Sequence, residues 1–303
     1  MLKIKKKRDI LTVLVFLLPA VIIYTVFQII PLVQSGYFSV TNWNGIAGSA
    51  IEFVGLENFK TIFRSPDFLL ALRNMFKMVV FSVLFHTPIA LLLAVALNTR
   101  CRGFRFFKAM YFVPTVFPLS AVGLMWYFIF MPTGAVNAFL DAVGLQNLVT
   151  PWLVNEGTAM NSIIFVNVWA GIGYYMVILL AGLTSIPEDV YEAAAIDGAG
   201  PVKTFFKITL PLLKPITIFI VITSLIYALQ LFDEPNLMFN VSTTSVIGGP
   251  DRSCLTMVWN FYDVAFGSTA RLGYGSAVAT TLFIIIVITS LVGMKLMNKK
   301  EGK

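Results

Sequence analysis

Six stretches of this chain are apolar and long enough to cross a bilayer, and a water-soluble fold has no place for six of them. Each helical residue rises only ~1.5 Å, so a span needs about 20 apolar residues. Runs of this kind, without Lys, Arg, Asp or Glu, occupy 10–32, 78–97, 109–131, 160–183, 215–232 and 272–294. The composition agrees. Of the 303 residues, 58% are hydrophobic and 12% charged, where soluble domains carry about 25% charged residues. The expected fold is an all-α integral membrane protein with six transmembrane helices. The N-terminus is basic, as in a secretory signal, but its apolar run outlasts a signal's core of about 7–15 residues. It reads as a retained first span.

Pro19 interrupts the first run, and Pro114 and Pro118 interrupt the third. Prolines there predict kinks, tolerated where neighbours satisfy the freed backbone groups. Residues 33–67 mix turn formers with both signs of charge, and 68–77 read as a partly amphipathic lead-in to the second span. The sixth run opens with Gly273, Gly275, Ser276 and Ala277, which let helices approach closely. The organisation expected is a first helix with its outer loop, 1–67, and a five-helix core, 68–303.

Six spans place both termini on one side. Lys3, Lys5, Lys6, Lys7, Arg8, Arg100, Arg102, Arg105, Lys108, Lys203, Lys207, Lys214, Lys295, Lys299, Lys300 and Lys303 share that side, sixteen of the 22 basic residues. Lys60, Arg64, Arg73, Lys77, Arg252 and Arg271 fall opposite. Lys and Arg are in excess on cytoplasmic flanks, so both termini and the loop 185–215 are expected in the cytoplasm.

That loop reads SIPEDVYEAAAIDGAGPVKTFFKITLPLLKP. Pro187 suits a first helical turn, and Glu188 and Asp189 suit its positive end. Gly198 is placed to end the helix in the left-handed conformation. A second helix is expected from near Pro201, with Val202, Phe205, Phe206 and Thr209 on one face and Lys203 and Lys207 on another. The residues alone leave two readings open: an amphipathic helix on the inner leaflet, or a docking element for another protein.

The stretch resembles the EAA loop of binding-protein-dependent ABC transporter permeases. Glu192-Ala193-Ala194-Ala195-Ile196-Asp197-Gly198-Ala199 and the closing Ile208-Thr209-Leu210-Pro211 carry the resemblance. FLLPAVIIYTVFQIIPLVQSGYFSVTNWNG, FVGLENF and the late Gly248-Gly249-Pro250 are similar to the sugar branch, the maltose and glycerol-phosphate type. The resemblance implies a type I ABC importer permease with the MetI-like fold. It implies that Glu192, Ala193, Ala194, Asp197, Gly198, Phe205, Leu210 and Pro211 couple the spans to a cytoplasmic ATPase. Glu192 would pair with a basic residue of that ATPase, and Gly198 would be the turn. The implied partners are a second, different permease, two copies of the ATPase, an extracellular or periplasmic solute-binding protein, a sugar and membrane lipid, with no nucleic acid.

A polar solute needs hydrogen bonds within the membrane, where polar side chains are costly unless they face a cavity or a partner helix. Asn167, Gly171 and Tyr174 share a face of the fourth span, beside Trp169 and Tyr175. Ser224, Tyr227 and Gln230 stand on the fifth, with Asp233 at its outer end. Each could line a sugar path or hold helices together. The resemblance favours the path for the first set. The second departs from the maltose type, which carries an asparagine-rich run there. The loop after Asp233, with NVSTTSV, is longer than the family pattern.

No G-x-x-x-x-G-K-[ST] loop is present, so ATP and Mg are expected on the partner ATPase rather than as cofactors of this chain. Cys101 and Cys254 read as unpaired thiols, and His86 as a packed or helix-bonded side chain rather than a metal ligand. No catalytic or metal residue is expected. An ion-coupled secondary transporter is the alternative, and it would need mid-span ionisable groups and repeated halves. A membrane scaffold leaves the EAA loop unexplained.

Overall fold

The computed structural model describes residues 7–98, 103–240, 247–268 and 270–298. Lys3, Lys5, Lys6, Arg100, Cys101, Arg102, Lys299, Lys300 and Lys303, and 241–246 of the NVSTTSV stretch, lie outside them. Among the described residues the structure is helical, with one isolated bridge between Thr41 and Phe53. Six helical stretches among the described residues are long and apolar enough to cross a membrane.

The chain divides into two compact units, Met1–Ser65 with Phe261–Thr281, and Pro66–Asn260 with Leu282–Lys303. In the first, helix α1 (Lys7–Tyr24) continues through a wide π turn at Thr25–Ile29 into the helix Ile30–Phe38. Pro31 explains the wide turn: it has no N–H, and its ring presses on the carbonyl four residues back. The Ile30 N–H reaches back to Thr25 O instead. The first span therefore runs to Phe38, beyond the 10–32 read from hydropathy. The loop after it is tied by the Asn58 side chain, which donates to Ser39 O at 2.9 Å and Thr41 O at 2.8 Å.

The second unit holds α2 (Pro66–Asn98), α3 (Phe104–Phe112), α4 (Leu119–Phe130), α5 (Glu156–Thr184), α6 (Glu188–Ile196), α7 (Pro201–Thr204), α8 (Lys214–Leu229) and α9 (Asp233–Phe239). The lead-in 68–77 and the second span are one unbroken helix. The third span corrects the sequence reading. It is not one kinked helix over 109–131. Helix α3 ends at Phe112, a 3₁₀ turn covers Val113–Val116, and Phe117 and Pro118 are extended before α4 begins. Proline disfavours helical geometry in the residue before it, so Pro118 forces Phe117 out of the helix. The fifth span is likewise not one helix: α8 ends at Leu229, capped by Gln230, and the apolar stretch continues through α9 to Phe239.

Helix α5 is the centre of this unit: 61% of its apolar window is buried, against 28% or less in the other candidate spans. Its closest partner is α2. The buried stripe of α2 runs through Met78, Ser82, His86, Ala90, Ala94 and Leu97, a spacing of three and four that keeps one helix face inward. Small residues set the contacts. A Cβ at Gly173 would collide with the Tyr111 carbonyl, and one at Gly182 with Ile216. A Leu, Met and Tyr cluster around Met176 and Leu179 fills one end of the unit, and an aromatic one around Trp126 and Phe130 fills another part.

Candidate functional site

The break between α3 and α4 leaves a notch in the bundle. Pro114, Thr115, Phe117 and Leu119 form one wall of a cavity of about 350 Å³. Ala170, Gly171, Tyr174 and Tyr175 of α5 and Thr223 and Tyr227 of α8 form the others. Tyrosine rings and a threonine hydroxyl therefore line a pocket within the spans.

The sequence placed Asn167, Gly171 and Tyr174 on one face. Gly171 and Tyr174 line the pocket, and Tyr174 is exposed. Asn167 lies one turn along that face, where α2 closes over it, and it is fully buried. Its Oδ1 accepts from the Ser82 hydroxyl at 3.1 Å. Its backbone carbonyl takes His86 Nε2 at 3.2 Å. A carbonyl can only accept, so Nε2 carries the proton, and Nδ1 of the neutral ring accepts from the Ser224 hydroxyl at 2.7 Å. His86 thereby joins α2, α5 and α8, with its ring 5.0 Å from that of Tyr175. Ser224 sits in this buried link, and Thr223 faces the pocket in its place. Gln230 is exposed at the end of α8 and does not line the cavity.

Tyr227 does line it, and its hydroxyl donates to Glu234 Oε1 at 2.7 Å. Glu234 is 2% exposed, in the first turn of α9. The side chain of Asn167 lies beside the same carboxyl, yet its Nδ2 makes no hydrogen bond of ordinary geometry. Sequence reasoning singled out Asp233, which is exposed, and passed over its buried neighbour. The local signal is slight: Asp233 and Glu234 fall between apolar residues at a helix start, where adjacent side chains point in different directions.

The 185–215 loop is the second candidate. Pro187 caps α6, with Glu188 and Asp189 in the first turn. At its other end Ala199 N–H bonds to Ala194 O at 2.9 Å and Gly198 N–H to Ala195 O at 3.1 Å. This is the Schellman arrangement, which requires a left-handed residue, and Gly198 has φ +70°. The second helical piece starts at Pro201 as expected, but a π turn at Phe205–Thr209 interrupts it ahead of Pro211, the same relation as that before Pro31. That turn splits the anticipated apolar face. Thr209 is buried, with its hydroxyl 3.4 Å from that of Tyr191. Phe205 is half-buried against a cavity of about 260 Å³ shared with Val95, Asn98 and Leu183. Val202 and Phe206 are 70% and 61% exposed.

The loop thus has two sides. Ala194, Phe205 and Thr209 turn towards the bundle, with Leu210 half-buried. Glu192, Ala193, Asp197, Gly198 and Pro211 are exposed, as are Val202, Phe206 and Ile196. The outward side is a mixture of acids and large apolar groups. Ile196 was not anticipated from the sequence.

Away from both, Gly248 and Gly249 take φ of +86° and +71° at the start of a tight loop, in which Asp251 and Arg252 are left-handed too. Arg252 pairs with Asp67 at 2.5 Å, and Asn74 donates to Leu255 O at 3.1 Å. Cys254 is a free, buried thiol in this loop.

The family model described as the binding-protein-dependent transport system inner membrane component matches residues 86–300. The chain belongs to this family. It is accordingly a multi-pass inner membrane protein, a permease subunit of the ABC importer type. It is 33% identical over 291 residues to the probable ABC transporter permease protein YurN of Bacillus subtilis, covering 95% of this chain and 96% of that one. It is 32% identical to the arabinooligosaccharides transport system permease protein AraP of the same organism, over 95% and 89%. The diacetylchitobiose uptake system permease protein NgcF of Streptomyces coelicolor is 33% identical, over 95% and 82%. Among solved structures, a chain of the bacterial alginate ABC transporter in complex with alginate pentasaccharide-bound periplasmic protein superimposes with a TM-score of 0.81. It is 22% identical and covers 98% of this chain and 97% of that one. The likeness establishes the MetI-like fold of this permease.

Proposed function

We propose that this permease forms one half of the translocation path of an ATP-driven importer for a sugar or oligosaccharide. The observation that carries the reading is the two-sided loop. One side seats on the ends of α2 and α5 near Val95, Asn98 and Leu183. The other presents Glu192 and Asp197 beside Ile196, Val202 and Phe206. A lipid-facing amphipathic helix keeps its acids away from its apolar groups. Here they are interspersed, as on a protein interface, and the partner of such a surface is the cytoplasmic ATPase that holds ATP and Mg. The termini lie in the cytoplasm with the loop, in keeping with the distribution of basic residues. A second, different permease completes the path, two ATPase copies drive it, and a solute-binding protein delivers the sugar from outside.

The sugar assignment draws on the named substrates of relatives such as AraP and NgcF, and on the pocket. Tyr174, Tyr175 and Tyr227 offer ring faces to the C–H side of a sugar, and Thr223 offers a hydroxyl.

Co-expression with the neighbouring subunits tests the reading. An ATPase subunit should co-purify with the permease, and Glu192→Lys should weaken its retention and cut uptake at least about tenfold, since a reversed charge at a docking contact costs several kcal/mol. If no ATPase is retained and Glu192→Lys transports normally, the importer reading fails. Uptake that persists without ATP but collapses with the proton gradient would instead favour ion coupling.

A further inference from the structure

We propose that this permease's half of the pocket admits uncharged polyhydroxylated solutes, and that Glu234, by engaging the proton of the Tyr227 hydroxyl, denies anionic ones a donor there. The inference rests on the sugar-importer reading and narrows it.

The relatives do not settle the matter. Their named substrates include neutral saccharides, such as diacetylchitobiose, and an anion, sn-glycerol-3-phosphate. The pocket of this chain discriminates between them. None of its described lining residues is a lysine or arginine. His86 stands behind Gly171, but both of its ring nitrogens are engaged, one by Asn167 O and the other by Ser224. It has no free N–H to give an anion. The nearest acid behind the wall is Glu234, bonded to the hydroxyl of the lining residue Tyr227.

A charge taken out of water needs a paired partner, and a phosphate or uronate in this pocket finds none on this chain. A neutral sugar does not meet that difficulty. Its hydroxyls can bond to Thr223 and its C–H faces can rest on the tyrosine rings. The Glu234–Tyr227 bond takes away a further donor. It fixes the phenol with its proton directed to the carboxyl, so the hydroxyl donates nothing to an incoming anion. Specificity of this kind comes from leaving the wrong solute unpaired as much as from binding the right one. Glu234 is a positioning residue, since it touches the solute only through Tyr227.

The test uses the complete transporter, purified without its solute-binding protein so that the membrane pocket alone is read. Equilibrium dialysis measures radiolabelled arabinotriose and diacetylchitobiose against sn-glycerol 3-phosphate and an alginate trisaccharide. At least one neutral saccharide should bind about tenfold or more tightly than either anion, since a charge taken out of water without a partner is costly. Glu234→Leu removes the acceptor and frees the Tyr227 proton, so it should narrow that ratio, whereas Glu234→Gln keeps an acceptor and should leave it. Tyr227→Phe keeps the ring and has no proton to give, so anions should stay excluded. Equal binding of neutral and anionic probes by the wild type overturns the proposal, as does an unchanged ratio in Glu234→Leu. If Glu234→Leu fails to accumulate in the membrane, the wild-type ratio and Tyr227→Phe still decide. Binding of neither class, with an ATPase in place, would count against the sugar reading itself.

Discussion

The imidazole of His86 fills the space that a side chain at position 171 would need. A Cβ on Gly171 would lie 2.7 Å from His86 Nε2. The ring cannot swing aside cheaply, because Asn167 O and Ser224 Oγ hold its two nitrogens. Gly171→Ala should therefore destabilise the helix bundle by about 1–3 kcal/mol, the usual cost of overpacking. The melting temperature of the detergent-solubilised permease reads this. A double variant with His86→Ala should recover part of the loss, because the two residues are in contact and their effects are not additive. Equal melting of Gly171→Ala and wild type would show that the helices part without cost.

Gly173 should be less forgiving than Gly171. Its Cβ would meet the Tyr111 main-chain carbonyl rather than a side chain, and main chain cannot change rotamer. Gly173→Ala should lower membrane abundance more than Gly171→Ala, as read by immunoblot of washed membranes. Gly200 has nothing within 4 Å, and Gly200→Ala should be close to neutral by the same measure.

The six spans were legible because a bilayer demands long apolar runs and tolerates little else. Their ends were less so. Continuous helix through 66–77 and the break of the fifth span after Leu229 depend on contacts that hydropathy does not report. The loop's first helix and its glycine turn were legible because Pro187, Glu188 and Gly198 each have a local reason for their place. Its second helix was only half legible. Pro211 widened the turn before it, and period counting from Val202 assumed a regular helix. Of the residues that line the pocket, Gly171, Tyr174, Tyr175 and Tyr227 stood out in the sequence, whereas Thr223 and the wall from Pro114 to Phe117 did not. Helical period assigns a face but not what covers it. Asn167 and Ser224 stand on polar faces and are closed over by α2, through Ser82 and His86. Glu234 was missed for a related reason: nothing local says which of two adjacent acids is buried.

Gly198 offers a test of backbone strain without steric interference. Its φ is +70°, and nothing lies within 4 Å of a Cβ placed there. Gly198→Ala should cost about 1 kcal/mol from the left-handed conformation alone. Gly198→Asn should cost less, since asparagine enters that region more readily. Hydrogen exchange at the amides of Gly198 and Ala199, which close α6, should quicken in the alanine variant and change little in the asparagine variant. Faster exchange of similar size in both would mean that a hidden contact, not the dihedral, sets the stability of the turn.

The Arg252–Asp67 pair ties the start of α2 to the loop that holds two left-handed residues. Its side chains are 34% and 46% exposed, so the pair itself contributes only about 0–1 kcal/mol and weakens with salt. Arg252 makes further interactions, so Arg252→Ala should cost more than Asp67→Ala. Thermal melts at low and high salt separate the two contributions. The Asp67→Ala deficit should shrink at high salt, whereas much of the Arg252→Ala deficit should remain. Salt-independent deficits of equal size would show that the ion pair contributes nothing.

The same loop buries Cys254, and burial pushes its thiol up to about 12, with a hydrogen bond from Ser253 opposing the shift only in part. The thiolate is the reactive form, so the folded protein should resist maleimide at about pH 8, where a free thiol near its ordinary value of ~8.5 reacts readily. A Cys101→Ser background isolates the site. Linkage gives a second expectation. A thiol whose folded value is raised keeps its proton while the unfolded chain loses it. Its contribution to stability is therefore complete below the unfolded value and falls as pH climbs from there towards about 12. Replacing Cys254 by Ala removes the titrating group. The alkaline decline in melting temperature should then be shallower than in the parent, even if the variant melts lower at neutral pH because of the cavity. Rapid labelling of the folded protein at about pH 8 would mean that the loop opens on the timescale of the reaction, and parallel alkaline slopes would remove Cys254 as the group responsible.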